Sequence, residues 1–298
     1  MQTNSMNLQN SIKQHLLQTG ISLCIAGIFF LLAFNWNEIH RYIKLGGLGF
    51  LYVSTFLVWV NFHKKVWISE SLLVLFFFLT GAGLLLFGSI YQTGADAYDL
   101  FFGWLVFTIV LNFQSSSGII LGLWTILCYT TIHLYVNQVY PGENAKIIYL
   151  TSAVFFYMFL YFYEYKLKYF FQEHSRNVYS SLLLFLTFTL VFILSFDYFF
   201  EKDSGFQNAL EFLFKWLIPG IFLGLSYSIF RFQFFHLANI TITLLFFLFY
   251  LMIRFLKVVS FDEAGIFLLA FLFVIVYTML SIKHLRALKS KMESSNNE

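Results

Sequence analysis

A chain of 298 residues with 59% hydrophobic and only 11% charged residues cannot cover its apolar surface with polar side chains in water. Soluble domains usually carry about 25% charged residues. The net charge of +3 is too small and too scattered for a nucleic-acid-binding protein. The composition therefore predicts a protein whose solvent is the lipid bilayer.

Long apolar runs predict an all-α integral membrane protein, a polytopic bundle of about ten transmembrane helices. A helix that crosses about 30 Å of hydrocarbon needs about 20 mostly apolar residues. In lipid the backbone must satisfy its own hydrogen bonds, which favours helices over open strands. Nine or eleven helices remain alternatives, because two connections are very short. The predicted segments are 19–35, 44–61, 67–91, 98–113, 118–137, 147–165, 179–200, 212–230, 232–256 and 264–282.

The domain organisation predicted from these runs is simple. A short polar N-terminal segment, 1–18, precedes the transmembrane domain, 19–282, and a basic and polar tail, 283–298, follows it. Lys and Arg are more numerous at the membrane face that holds both termini, and the positive-inside rule then predicts cytoplasmic termini. The tail is read as a positive-inside anchor, with binding to anionic headgroups as the alternative.

One polar stretch, SIYQTGADAYDLF at 89–101, interrupts two apolar blocks. It is predicted to be the hairpin between two spans, with Gly94 permitting the turn. Asp96 and Asp99 are spaced i, i+3, so the next helix is expected to begin near Asp96, whose carboxylate would cap its first N–H groups. Capping explains one Asp well but leaves neighbouring polar residues unexplained.

Helix parity brings further polar residues to the same membrane face as this hairpin. The first, third and fifth predicted spans end there and the fourth begins there. Polar groups near membrane depth are often functional, although aromatic residues also form interfacial belts, Trp104 can pack inside the bundle, and a lone membrane His is commonly a packed residue. The candidate ligand-binding residues are Asn35, Trp36, Asn37, Tyr91, Gln92, Asp96, Asp99, Trp104 and His133.

The sequence carries none of the common catalytic or metal-binding motifs. Phosphate loops, zinc helices, paired-cysteine motifs and nucleophile elbows are missing, so neither a catalytic residue, a metal site nor a cofactor is predicted. Cys24 and Cys128 fall inside apolar runs and are read as small apolar residues. The protein is expected not to be an enzyme.

Two stretches resemble a known family. AGIFFLLAFNWNEIHRYIKLGGLGFL and GAGLLLFGSIYQTGADAYDLFFGWLVF look like the bacterial predicted-membrane-protein family catalogued as domain of unknown function 2157. The resemblance covers residues from about 25 to 130, and it implies a bacterial cytoplasmic (inner) membrane protein without implying an activity. The positions that carry it are Asn35, Trp36, Asn37, Tyr91, Gln92, Gly94, Asp96, Asp99 and Trp104.

Three functions stay compatible with the sequence. The first is transport or binding of a small solute, ion or lipid through the polar cluster. The second is a non-catalytic membrane subunit that scaffolds envelope assembly. The third is an intramembrane enzyme that acts on lipid-linked substrates with Asp96 and Asp99 as acid, base or metal ligands. The predicted partners are the lipid bilayer and a small ligand; a protein partner cannot be named.

Overall fold

A computed structural model describes Leu23 and residues 38–91, 94, 96–115, 118–140, 143–170, 173–200, 217–258 and 264–295. Over these ranges the chain is helical nearly throughout, and they contain no strand. The coarse prediction of an all-α chain is therefore confirmed.

The helices are labelled α1 to α10 in chain order. A 3₁₀ turn, Leu167–Phe170, follows α6, and a π-helical turn, Ile229–Gln233, follows α8. The bounds are α1 Arg41–Phe62, α2 Val66–Tyr91, α3 Ala97–Thr108, α4 Leu111–Gln114, α5 Ile119–Val139, α6 Glu143–Tyr165, α7 Glu173–Phe200, α8 Ile218–Ser228, α9 Leu237–Val258 and α10 Ala264–Ser295.

Seven helical segments in the described part of the chain are long and apolar enough to cross a membrane. They are α1, α2, the pair α3 and α4 taken together, α5, and windows within α6, α7 and α10. The predicted span 19–35 lies outside the described residues, apart from Leu23, as does the start of the predicted span 212–230. The apolar part of α9, Leu237–Ile253, is shorter than a full span.

Helix ends differ from the predicted ones where local sequence alone is a weak guide. The predicted span 98–113 is two helices, because a turn at Ile109 and Val110 separates α3 from α4. The last helix continues past Ile282 to Ser295. Leu, Ala, Lys and Arg dominate this extension and all favour helix, and neither Pro nor Gly interrupts it.

Two clusters of buried side chains hold the bundle together. The larger cluster centres on α7, more than half of whose membrane-length window is buried, and draws in α5, α6, α8 and α9. The smaller cluster joins α2, α3 and α5 through residues such as Phe77, Leu105 and Ile120. Since α5 contributes to both, it connects the N-terminal helices to the central ones.

Two helices approach closely at Gly81 in α2, which lies against Trp104 in α3. A Cβ atom built on Gly81 would lie 2.6 Å from the Trp104 ring, far inside any real contact distance. The indole N–H of Trp104 donates to the Phe77 carbonyl oxygen at 2.8 Å. Small residues let membrane helices approach closely, and Gly81 makes the room that the indole fills.

Candidate functional site: a cleft beside the polar hairpin

The polar hairpin joins α2 to α3 as its sequence predicts. Tyr91 is the last residue of α2, and Asp96 is the N-cap residue of α3 with an extended backbone. Between them Gly94 has φ of 66°, in the left-handed region that glycine adopts without strain. The turn and the new helix start therefore both follow from local residue types.

Asp96 and Asp99 act within their own helix terminus. The Asp96 backbone N–H donates to Asp99 Oδ2 at 3.2 Å, which is the reciprocal half of a capping box. Both side chains are exposed at this end of the bundle. Capping accounts for this polar contact and leaves the carboxylates accessible to a ligand or to headgroups.

A residue outside the hairpin completes the cap. The Tyr98 backbone N–H, in the first turn of α3, donates to Gln138 Oε1 at 3.1 Å, although 40 positions separate the two residues. The Tyr98 ring also packs edge-on against Tyr135, with centroids 5.2 Å apart. The start of α3 is therefore fixed to the end of α5, as parity predicts.

A cleft of about 450 Å³ opens beside this junction. It lies between α3, α5 and the start of α6, and its wall is mostly apolar. One carboxylate and two phenol groups stand among aliphatic and aromatic side chains. The lining residues are Tyr98, Asp99, Phe102, Thr131, Ile132, Tyr135 and Ile148.

His133 makes contacts within the bundle at this end. One ring nitrogen, Nδ1, lies 2.9 Å from the Tyr149 hydroxyl, and the other, Nε2, lies 3.1 Å from the Asn137 amide nitrogen. Tyr149 is buried, so this pair ties α5 to α6. His133 is near the cleft but does not line it.

The remaining candidates separate into placed and unplaced residues. Trp104 packs against Gly81 and Phe77 rather than lining the cleft, and Tyr91 is exposed with its ring 4.6 Å from that of Phe87. Asn35, Trp36, Asn37 and Gln92 lie outside the described residues. The structure therefore brings Asp96 and Asp99 to the α5 terminus, and the assignment of these residues to a ligand stays a prediction.

Sequence reasoning missed most of the cleft lining. Phe102 and Ile148 look like ordinary span residues, and only their meeting in three dimensions gives them a role. Gln138, which caps α3, follows the predicted span 118–137 directly and carries no signal of that contact. Tyr98 and Tyr135 carried a signal, because tyrosines flank both predicted helix ends at the same face. Over the ranges that the structure describes, no group of three or more His, Cys, Asp or Glu residues is placed to hold a metal ion.

Long apolar helices, a buried core between them and a cleft at one end define a polytopic helical membrane protein. Residues 2–121 of the chain match the family described as "Predicted membrane protein (DUF2157)", which confirms the resemblance carried by the two motif stretches. The match ends early in α5, before the predicted limit of about 130. No curated protein and no solved structure matches the chain.

Proposed function

We propose that this membrane protein binds a small amphipathic molecule in the cleft between α3, α5 and α6. The observation that carries the proposal is the cleft itself, whose volume of about 450 Å³ falls in the usual range of small-molecule sites, about 300–1,000 Å³. Binding, with or without transport, is proposed rather than catalysis.

The lining favours a ligand with an apolar body and a cationic head. Phe102, Ile132 and Ile148 offer apolar surface for the body. Asp99 supplies negative charge at one edge, and Asp96 lies on the same helix terminus. The rings of Tyr98 and Tyr135 lie beside that charge, and the faces of aromatic rings attract cations.

We further propose the membrane setting that the sequence predicts: ten spans in a bacterial inner membrane, with both termini cytoplasmic. The excess of Lys and Arg at the face of the termini supports this orientation. The cleft would then open to the outer face, because α3 begins there after an odd number of spans. Tyr91→Cys and Ser290→Cys test the orientation. A thiol reagent that cannot cross the membrane should label the first variant in intact cells and the second only after the cells are opened.

The binding proposal is tested with two ions of the same shape and opposite charge. Purified protein in nanodiscs is dialysed to equilibrium against tetraphenylphosphonium or tetraphenylborate, with empty nanodiscs subtracted. We expect saturable binding of the cation alone, weakened at least tenfold by Asp99→Asn. Equal binding of both ions, or of neither, would contradict the proposed cationic specificity.

A second pair of variants tests the location. Ile132→Trp places a larger ring in the cleft and should abolish saturable binding. Ile126→Trp is the matched control, because Ile126 is an exposed residue on the same helix and does not line the cleft. If Ile132→Trp binds as the native protein does, the site is elsewhere.

A further inference from the structure

At the far end of α6 from the cleft, a carboxylate is buried among three helices. Glu164 of α6 is 5% exposed, and Ser180 of α7 and Asn239 of α9 are both 0% exposed. A charged group inside a membrane bundle is costly and commonly functional. Glu164 is therefore a candidate site that is independent of the cleft.

Three hydrogen bonds of this cluster run in one direction. The Ser181 hydroxyl donates to Asn239 Oδ1 at 2.7 Å, and Asn239 Nδ2 donates to the Ser180 oxygen at 2.7 Å. The Ser180 hydroxyl donates in turn to Glu164 Oε1. Each donor is polarised by the one behind it, so the positive ends of the dipoles converge on the carboxylate and stabilise its negative charge.

A small cavity lies against Glu164 and reaches the π-helical turn. Its volume of about 10 Å³ is at the lower limit for one water molecule, about 10–15 Å³, and the surface that it exposes is apolar. Glu164, Tyr157 and Tyr161 line it from α6, and Ile229, Phe230 and Phe234 line it from the turn and its end. π-Helical turns inside helices frequently mark functional sites.

Several of the ionisable groups that the structure describes stand near the cluster. Tyr157 and Tyr161 face the cavity from α6, and Tyr179 of α7 bonds to Thr125 while its ring packs on Tyr163. His236 Nδ1 accepts from the Asn239 backbone N–H at 3.4 Å. Arg231, in the π-helical turn, donates to the Tyr227 hydroxyl at 2.8 Å and stacks on Phe232. His236 is thus a nearby ionisable residue whose contribution to a pH response must be separated from that of Glu164.

We propose that Glu164 is an internal proton-binding site at the contact of α6, α7 and α9. On protonation, a hydronium O–H bond breaks and an O–H bond forms on a carboxylate oxygen, which leaves a water molecule and a neutral side chain. The hydrogen bonds from Ser181 to Asn239, from Asn239 to Ser180 and from Ser180 to Glu164 stabilise the ionised carboxylate. The neutral carboxyl group has no charge for them to stabilise. Protonation therefore weakens the attachment of α6 to α7 and α9.

Infrared difference spectroscopy tests this assignment, because a protonated carboxyl has a carbonyl stretch that histidine lacks. Full-length protein in nanodiscs is stepped from neutral to acidic pH. We expect a carboxyl band that Glu164→Gln removes and that Ser180→Ala shifts to higher frequency, since the carboxyl loses a donor. His236→Gln should leave the band in place.

Glu70→Gln is the matched control. Glu70 is also buried, and its Oε2 accepts from the Ser115 hydroxyl at 2.7 Å, but it lies in α2, outside the α6, α7 and α9 cluster. The assignment is overturned if Glu164→Gln retains the full band, or if Ser180→Ala leaves its frequency unchanged. It is also overturned if sodium chloride at constant pH displaces the proton, because the site would then bind a metal cation.

Discussion

At the two ends of α6, carboxylates lie in opposite surroundings: Asp99 of α3 beside its start, and its own Glu164 near its end. Near its start, at Ile148, the cleft holds exposed Asp99, and near its other end Glu164 is buried between three helices. At 1.5 Å per residue the two positions lie about 24 Å apart along the axis. The aspartates are stabilised within their own helix terminus, whereas Glu164 depends on side chains from two other helices. Accessible charge and buried charge are therefore held by different kinds of contact in this chain.

The largest effect expected from this contrast is at Asn239. Asn239→Ala removes the donor to Ser180 and the acceptor for Ser181, so buried polar groups lose their partners. We expect a loss of about 3 kcal/mol of unfolding free energy. Unfolding by sodium dodecyl sulfate in mixed micelles measures it.

Its control is Asn137→Ala at the cleft end, where the exposed amide bonds to His133. Loss of less than about 1 kcal/mol is expected there. Similar losses for the two variants would show that the buried cluster is no more important than an exposed pair.

The second effect concerns the contact that positions α3. Gly81→Ala places a Cβ 2.6 Å from the Trp104 ring and should cost about 2 kcal/mol, because the helices must separate. A Cβ atom at Gly224 would meet no atom within 4 Å. Gly224→Ala should therefore leave the unfolding free energy unchanged or raise it, because alanine is more stable than glycine inside a helix. Unfolding by sodium dodecyl sulfate should show a loss of stability for Gly81→Ala and none for Gly224→Ala.

Gly81→Ala also tests whether the cleft and the Glu164 cluster respond independently. Gly81→Ala should weaken binding of tetraphenylphosphonium, because α3 forms one wall of the cleft, and should leave the Glu164 infrared band unchanged. A change in that band would mean that the two ends are coupled through α5.

A smaller effect is expected at Gln138. Gln138→Ala leaves the Tyr98 backbone N–H without its acceptor and should cost about 1 kcal/mol. Gln138→Glu keeps an oxygen at that position and should cost less. If both variants unfold as the native protein does, the long-range cap contributes nothing and water replaces it.

The smallest effect is expected at Asp99. Asp99→Asn keeps an oxygen that can accept from the Asp96 N–H, and the exposed site is screened by solvent, so stability should change by no more than about 0.5 kcal/mol. Binding of tetraphenylphosphonium should nevertheless fall. A large stability loss would instead assign Asp99 a purely structural role.

Local sequence predicted the parts of the fold that depend on local chemistry. Helices α1, α2 and α5 begin and end within about three residues of their predicted limits, because apolar run length sets the bounds of a membrane helix. The turn at Gly94 and the helix start at Asp96 follow from single residue types. Parity also placed the start of α3 beside the end of α5.

Pairings between distant residues could not be predicted in the same way. Gln138 meets Tyr98 across 40 positions, and Ser180 meets Glu164 only after α6 and α7 pack. Glu164 stands at the end of an apolar run, two residues before Lys166, a setting typical of interfacial side chains. Its position inside the last turn of a predicted span was the available signal, since carboxylates rarely occupy such positions without a partner.

The length of α10 has a mechanical consequence. Its 32 residues extend for about 48 Å, well beyond about 30 Å of hydrocarbon. Its basic end carries exposed Lys283 and Arg286, and the Tyr227 hydroxyl, 2.7 Å from His284 Nε2, fixes that end to α8. Bilayer thinning or thickening changes the preferred tilt of such a rod. Because the Tyr227 contact joins α10 to α8, a change in the tilt of α10 would act directly on the helix that precedes the π-helical turn.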